Sequence, residues 1–165
     1  MKLNQLYGAQ SKHLIIEAEL DEAHEEGDRS FAKVTIDYRS LQNKSRETLS
    51  ANTKINFTKN KKRAAKAVNK RVMSDVIEQI AIERNEQAVS LRDKGDVKRA
   101  KMLLQNNAAY LAKEAKNLGG SFAPKLKDLA KKNKADAENL TGEKWRASRK
   151  EMKARAYRQK TQQSY

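Results

Sequence analysis

The 165-residue sequence contains no cysteine and only one proline, Pro124. Disulfide bonds and thiolate metal sites are therefore excluded, and the redox compartment stays open. Aromatic residues are scarce at 5% of the chain, which predicts a thin, aliphatic core. No apolar run approaches the ~20 residues that a membrane-spanning helix needs, so we expect no transmembrane segment.

Residues that carry catalytic chemistry are equally scarce. His13 and His24 are the only histidines, too few for a zinc site that usually needs four nitrogen or sulfur ligands. No glycine-rich phosphate-binding loop occurs, and no serine, histidine and aspartate arrangement can be nominated. We therefore expect no cofactor and no enzymatic activity, which leaves binding functions.

Positive charge is abundant but unevenly distributed. The formal net charge is +15, and residues 1–57 carry −1, whereas residues 58–120 and 121–165 carry +8 each. This asymmetry favours an anionic partner for the basic part of the chain, such as nucleic acid, a membrane surface or an acidic protein. The alternative is that interspersed lysine and glutamate solvate exposed helix faces.

Three segments alternate apolar and polar residues with the period of a β-strand: residues 12–20, 31–40 and 47–58. The short polar turn between the last two predicts an antiparallel hairpin. We expect a small antiparallel sheet of about three strands. With one apolar face and two free edges, such a sheet needs a partner, either the helices or a part of the protein outside this segment.

The central part of the chain has helical periodicity. Asn69 and Asp96 predict helix N-caps, and Gly95 predicts the turn between helices over residues 70–92 and 97–118. The first helix should bury a stripe that includes Val72, and the short turn predicts an antiparallel helical hairpin. The apolar stripe of the second helix continues without a break. Together with Trp145 of the tail, it forms the candidate interaction or packing face: Val97, Ala100, Leu104, Ala108, Leu111 and Trp145.

A basic tail follows the hairpin. Two further helices are predicted at about residues 124–139 and 143–160, with too few large apolar residues to add much core. The predicted fold is thus α+β, with a strand segment at 1–58, a helical hairpin at 59–120 and a basic helical tail at 121–165. The candidate contacts to an anion or nucleic acid are Lys61, Lys62, Arg63, Lys66, Arg146, Arg149, Lys150 and Lys153. Alternatively, Trp145 docks the tail while the charges face water.

Seven stretches of the sequence match the pattern of a known family: residues 6–11, 32–39, 55–58, 76–79, 86–88, 95–97 and 100–111. Taken in order, they resemble the C-terminal region of bacterial proteins that carry a von Willebrand factor type A domain. The resemblance implies a preceding type A domain. It also implies that the three strands are a partial β-sandwich, which further strands from outside this segment complete. Its metal-binding motif, Asp-x-Ser-x-Ser, does not occur here, so no metal ligand is carried over.

Two functions remain as expectations. The first is a non-catalytic accessory region that mediates protein contacts or positions the metal-dependent adhesion-type domain implied by the resemblance. The second is a basic nucleic-acid-binding protein that uses residues 59–71 and 125–160. The sequence leaves the cellular compartment undetermined.

Overall fold

A computed structural model describes residues 14–20 and 25–161. The protein is α+β, and it divides into two compact units. One unit comprises residues 16–68, and the other contains the chain from Asn69 onward. The sequence pattern had separated residues 59–120 from 121–165, whereas the structure groups the helices of both segments that follow Asn69 into one unit.

The first unit contains a two-stranded antiparallel β-hairpin, β1 (Gly27–Arg39) and β2 (Arg46–Phe57). Ile36 pairs with Leu49 and Val34 pairs with Ala51, so the predicted pairing of the second and third segments is confirmed. The Asn43 side chain accepts hydrogen bonds from the backbone and the hydroxyl of Ser45, which closes the connecting turn.

Strand β1 begins earlier than residue 31, where the sequence pattern placed its start. The register shifts between Ser30 and Ala32, which leaves Phe31 as an extra, bulged residue. The inserted residue reverses which positions, odd or even, point to a given face of the sheet. The alternation of apolar and polar residues after Phe31 therefore does not continue into residues 27–30. Residues 27–30, which precede the predicted strand at 31–40, therefore belong to β1.

The predicted strand at residues 12–20 is wrong for the residues that the structure describes. Residues 14–20 belong to neither strand, and the Ile16 side chain is 79% exposed. Alternation gives a segment two chemically different sides, but a strand also requires a neighbour for its backbone hydrogen bonds. Among residues 14–20 and 25–161 the sheet has two strands, not about three. His13, His24 and the stretch at 6–11 lie outside the described residues.

A short helix follows the hairpin in the same unit. Helix α1 (Lys61–Ala67) begins after Asn60, whose side-chain oxygen accepts a hydrogen bond from the backbone N–H of Arg63 (3.0 Å). It ends at Val68, whose backbone is extended. No residue of α1 is buried, which fits its basic, alanine-rich sequence.

The second unit begins with two long helices, α2 (Lys70–Asp93) and α3 (Val97–Leu118). The predicted caps are confirmed: Asn69 accepts from the backbone of Arg71, and Asp96 from that of Arg99. The start of α2 contacts the end of α3, because Lys70 Nζ donates a hydrogen bond to the Leu118 carbonyl oxygen (2.8 Å).

Two more helices complete this unit, α4 (Ala123–Glu138) and α5 (Gly142–Thr161). The expectation that they add little core is wrong. One cluster of buried residues joins all four helices and consists of Ala88, Val89, Ala100, Leu104, Ala137, Leu140, Trp145 and Met152. A second cluster joins α2, α3 and α4 and consists of Ile77, Ala81, Leu111, Ala115, Leu118, Leu126 and Ala130. Val72 lies outside both clusters and is 52% exposed, because the buried side of α2 is centred on Ile77 and Ala81.

Candidate interaction surfaces

The β-hairpin has one polar face. Side chains there pair across the two strands: the Thr48 hydroxyl donates to Asp37 (2.6 Å), and the Asn56 amide donates to Asp28 (2.6 Å). All four side chains are exposed. In the sheet register Thr48 lies opposite Asp37, and Asn56 lies opposite Asp28. The polar groups of this face are exposed to solvent and bond to one another across the strands, so this face needs no further partner.

The opposite side of the hairpin is apolar, and we call it the apolar face. Its residues are Ala32, Val34, Ile36, Tyr38, Leu49 and Ala51, which alternate along the strands with the polar ones. Four large side chains remain open to solvent: Val34 is 42% exposed, Ile36 51%, Tyr38 40% and Leu49 58%. None of the described residues in 16–20 and 25–68 covers them completely. Contiguous exposed apolar surface of this kind commonly marks a contact site.

Among the described residues, no further strand pairs with either outer edge of the hairpin. Each strand pairs with the other on one side only, so the second side of each presents unpaired backbone N–H and C=O groups. A hairpin alone is marginally stable in water, and three or more strands are normally needed for independent stability. The hairpin therefore has both the apolar and the hydrogen-bonding surface that an added sheet would use.

The predicted basic residues of α1 lie together in the first unit. Lys61, Lys62, Arg63 and Lys66 are all exposed. No acidic side chain within the described residues forms a salt bridge to any of them. They form a small cationic surface on a helix that has no packed side of its own.

The predicted basic residues of α5 behave differently from one another. Arg149 is half-exposed and forms a bidentate pair with Asp93 of α2, with nitrogen–oxygen distances of 2.7 and 2.8 Å. That hydrogen bond lowers the pKa of the Asp93 carboxyl and raises the pKa of Arg149. Arg146, Lys150 and Lys153 are exposed and lie four and three residues apart, on one side of the helix.

The candidate interaction or packing face of α3 is packed inside the helical unit. Ala100 and Leu104 are fully buried, and Ala108 and Leu111 are each 1% exposed. Val97 is partly buried against the same core, and Trp145 docks there from α5 at 7% exposure. The side chain of Arg92 lies over the Trp145 ring, 5.1 Å from its centre. These residues are therefore not available as an external contact surface.

Sequence reasoning missed a chain of buried asparagines. Asn107 of α3 donates to the Ala81 carbonyl (2.8 Å) and to the Asn85 side chain (2.9 Å) of α2, and Asn85 donates to Asn133 of α4 (2.9 Å). Asn107 Oδ1 and Asn133 Nδ2 are buried without a hydrogen-bond partner among the described residues. Asn107 stands in the apolar stripe between Leu104 and Leu111, and that position was the available signal.

Two buried carboxylates were also missed. Glu78 is 2% exposed and forms a salt bridge to Lys125 (2.8 Å) from α4. Asp136 of α4 accepts from the Ser148 hydroxyl (2.9 Å) and pairs with Arg155, both in α5. Burial raises the pKa of Asp136, and the charge of Arg155 opposes that effect. These pairs hold α4 and α5 in place, since each joins two helices.

No group of three or more histidine, cysteine, aspartate or glutamate side chains in the described part of the chain could hold a metal ion. Within residues 14–20 and 25–161, no helix has the length and apolar content to cross a membrane.

The chain matches no protein-family model, no curated protein and no solved structure.

Proposed function

We propose that this chain is a non-catalytic protein-interaction region of a von Willebrand factor type A protein, and that the apolar face of the β-hairpin is its contact surface. The observation that carries this proposal is the exposure of Val34, Ile36, Tyr38 and Leu49 on one side of a two-stranded sheet. Fully burying an exposed apolar side chain contributes roughly 1.5–3 kcal/mol, and these four are already about half covered, so each should contribute about half of that before the cost of association.

The occupant that fits this surface is another β-sheet. Two sheets pack face to face at about 10 Å through interdigitating apolar side chains. The free edges of β1 and β2 would accept further strands in the same contact. The resemblance to type A proteins implies such strands, contributed by the adjoining part of the same polypeptide, which would complete the partial β-sandwich.

The helical unit has a different part in this proposal. The stripe of α3 that the sequence nominated as a contact face is buried between helices, so the contact is assigned to the hairpin. The buried asparagine chain and the inter-helix ion pairs favour one fixed arrangement of α2 to α5. The unit would then act as a stable accessory that helps to position the adhesion-type domain.

The test uses two cross-strand pairs that lie one residue apart on opposite faces. Ile36→Thr with Leu49→Thr removes apolar area from the apolar face while keeping residues that favour strands. Thr35→Ala with Ser50→Ala changes the polar face and is the matched control. Each form is co-expressed with the polypeptide encoded immediately upstream of Met1, and co-purification is measured.

We expect the wild type and the polar-face control to co-purify with the upstream polypeptide, and the apolar-face variant to be lost from the complex. Circular dichroism of each purified chain checks that the hairpin still forms. Equal retention of both variants, or an upstream polypeptide that never co-purifies with the wild type, would refute the proposed contact.

A further inference from the structure

Three cations of helix α5 face the neighbouring helices, and each of them is paired with an acidic side chain. Arg149 pairs with Asp93, Arg155 pairs with Asp136, and Lys160 pairs with Glu86 (2.8 Å). Each of these pairs joins α5 to α2 or α4, and each acidic partner lies on the neighbouring helix. The inner cations are therefore committed to packing.

The outer side of α5 carries a second row, which we call the outer stripe: Arg146, Lys150, Lys153 and Tyr157. All four side chains are exposed, Tyr157 by 61%. Their spacing of four, three and four residues places them in one line about 16 Å long. Within the described residues, no acidic side chain forms a salt bridge to the three cations.

We propose that the outer stripe binds the backbone of a single-stranded nucleic acid, with Tyr157 stacking on a base. Three cations in line with an exposed aromatic ring are the combination that such sites use, since cations follow the phosphates and a ring accepts any base. The surrounding unit supports the attraction, because residues 69–161 contain 23 Lys and Arg against 12 Asp and Glu.

The packing of α5 argues against a membrane surface as the ligand. A helix that lies in a membrane interface needs large apolar side chains beside its cations. Trp145 and Met152, the large apolar residues of α5 other than tyrosine, are buried in the core at 7% and 3% exposure. Trp145 is for the same reason unavailable for stacking, which leaves Tyr157 as the ring on the outer side.

This inference is independent of the proposed function, because the outer stripe and the apolar face belong to different compact units. The two experiments can also fail separately. Loss of the protein complex leaves the nucleic-acid measurement unaffected, and absence of nucleic-acid binding leaves co-purification unaffected.

The experiment measures fluorescence anisotropy of a labelled 20-nucleotide oligothymidylate titrated with the full 165-residue chain between 50 and 300 mM salt. The test variant is R146Q/K150Q/K153Q. The matched control is K98Q/K113Q/K116Q, which removes three exposed cations of α3 and gives the same net charge. A third variant, Tyr157→Ala, removes only the exposed ring. Circular dichroism melts confirm that all three remain folded.

We expect the test variant to lower the slope of log affinity against log salt by about 2, because each phosphate contact on a single strand contributes ~0.7. The control should keep the wild-type slope. Tyr157→Ala should weaken binding about 5- to 100-fold with the slope unchanged, because stacking is not ionic.

Three outcomes would overturn the proposal. The first is no binding of the wild type at 50 mM salt. The second is an equal loss of slope in the test and control variants, which would assign binding to total charge. The third is tighter binding of a labelled 20-residue polyglutamate through the same three cations, which would assign the stripe to an acidic protein.

Discussion

The hairpin and the helical unit are equally amphipathic in sequence but differ in what their apolar sides contact. Leu49 in the hairpin is 58% exposed, whereas Leu104 in α3 is fully buried. Four helices surround one core, and each provides a cover for the others. The two strands share a single apolar face that neither can cover. Periodicity thus identifies the apolar side of a segment, and only the neighbours of that segment decide whether the side is buried.

Polar groups show the same difference. In the hairpin, polar side chains pair across the strands at the surface, as Thr48 does with Asp37. In the helical unit, polar groups lie between helices, as Asn107 does with Asn85. A buried unpaired polar group costs more than an exposed one, so the internal pairs constrain the fold more strongly. The following substitutions measure this contrast.

The largest effect is expected for leucine truncation. Leu104→Ala should destabilise the helical unit by about 2.7–5 kcal/mol, because the removed side chain leaves a cavity in a closed core. Leu49→Ala is the matched change in the hairpin and should shift stability by less than about 0.5 kcal/mol, as expected of a surface site. Urea denaturation followed at 222 nm measures the first and a thermal melt the second. Similar losses at both positions would show that the apolar face is covered in the isolated chain.

A smaller loss is expected for the buried amide chain. Asn107→Ala removes the hydrogen bonds to Ala81 and Asn85 and leaves buried polar atoms unpaired, which should cost about 1–3 kcal/mol. Asn117 lies on the same helix, is exposed and donates a hydrogen bond to Glu114, so Asn117→Ala should change stability by less than about 0.5 kcal/mol. Denaturant titrations of both variants provide the comparison, and equal losses would contradict a structural role for the chain.

Two of the ion pairs that join α5 to its neighbours, Arg149–Asp93 and Arg155–Asp136, should respond to pH in opposite directions. The hydrogen bond to Arg149 lowers the pKa of the Asp93 carboxyl. The ionised Asp93 therefore stabilises the folded state above pH 3.8, and this contribution is lost as the pH falls through the lowered pKa. Burial raises the pKa of the Asp136 carboxyl. This shift therefore stabilises the folded state below pH 3.8, where Asp136 is protonated, and the contribution is lost as the pH rises through the raised pKa.

Melting temperatures of the wild type and single asparagine variants between pH 3 and 7 test this contrast. The melting temperature of the wild type should exceed that of Asp93→Asn by less as the pH falls. The difference should be small at every pH, because the Arg149–Asp93 pair is more than a third exposed. The advantage over Asp136→Asn should grow as pH falls. Parallel trends for the two variants would mean that pairing with Arg155 outweighs burial at Asp136.

Local signals predicted the helices well. Asn69, Asp96 and Gly95 mark helix ends by backbone chemistry that depends on adjacent residues, so α2 and α3 begin and end within about a residue of their predicted limits. Gly95 adopts a φ of 88°, the conformation that its place in the turn requires. Pro124 likewise stands in the first turn of α4, where its missing N–H has no cost.

Features that depend on distant neighbours could not be predicted. Residues 14–20 alternate as a strand would, yet they pair with neither strand. The bulge at Phe31 hid the start of β1, since one inserted residue cancels the alternation. Of the candidate basic residues, Arg149 is committed to Asp93, and no local pattern distinguishes it from Lys150. Asn107 was detectable as a polar position within an apolar stripe, but its partners were not.

The bulge at Phe31 also limits how much of β1 another strand can use. It divides the outer edge of β1 into residues 27–30 and residues 32–39, which follow different registers. A straight added strand can follow only one register, so the longer part offers about eight residues, or roughly 26 Å, of continuous ladder. A partner strand that extends further must carry a bulge of its own opposite Phe31. The β1 edge thus sets a maximum length for a regular partner strand on that side, whereas β2 (Arg46–Phe57) carries no bulged residue.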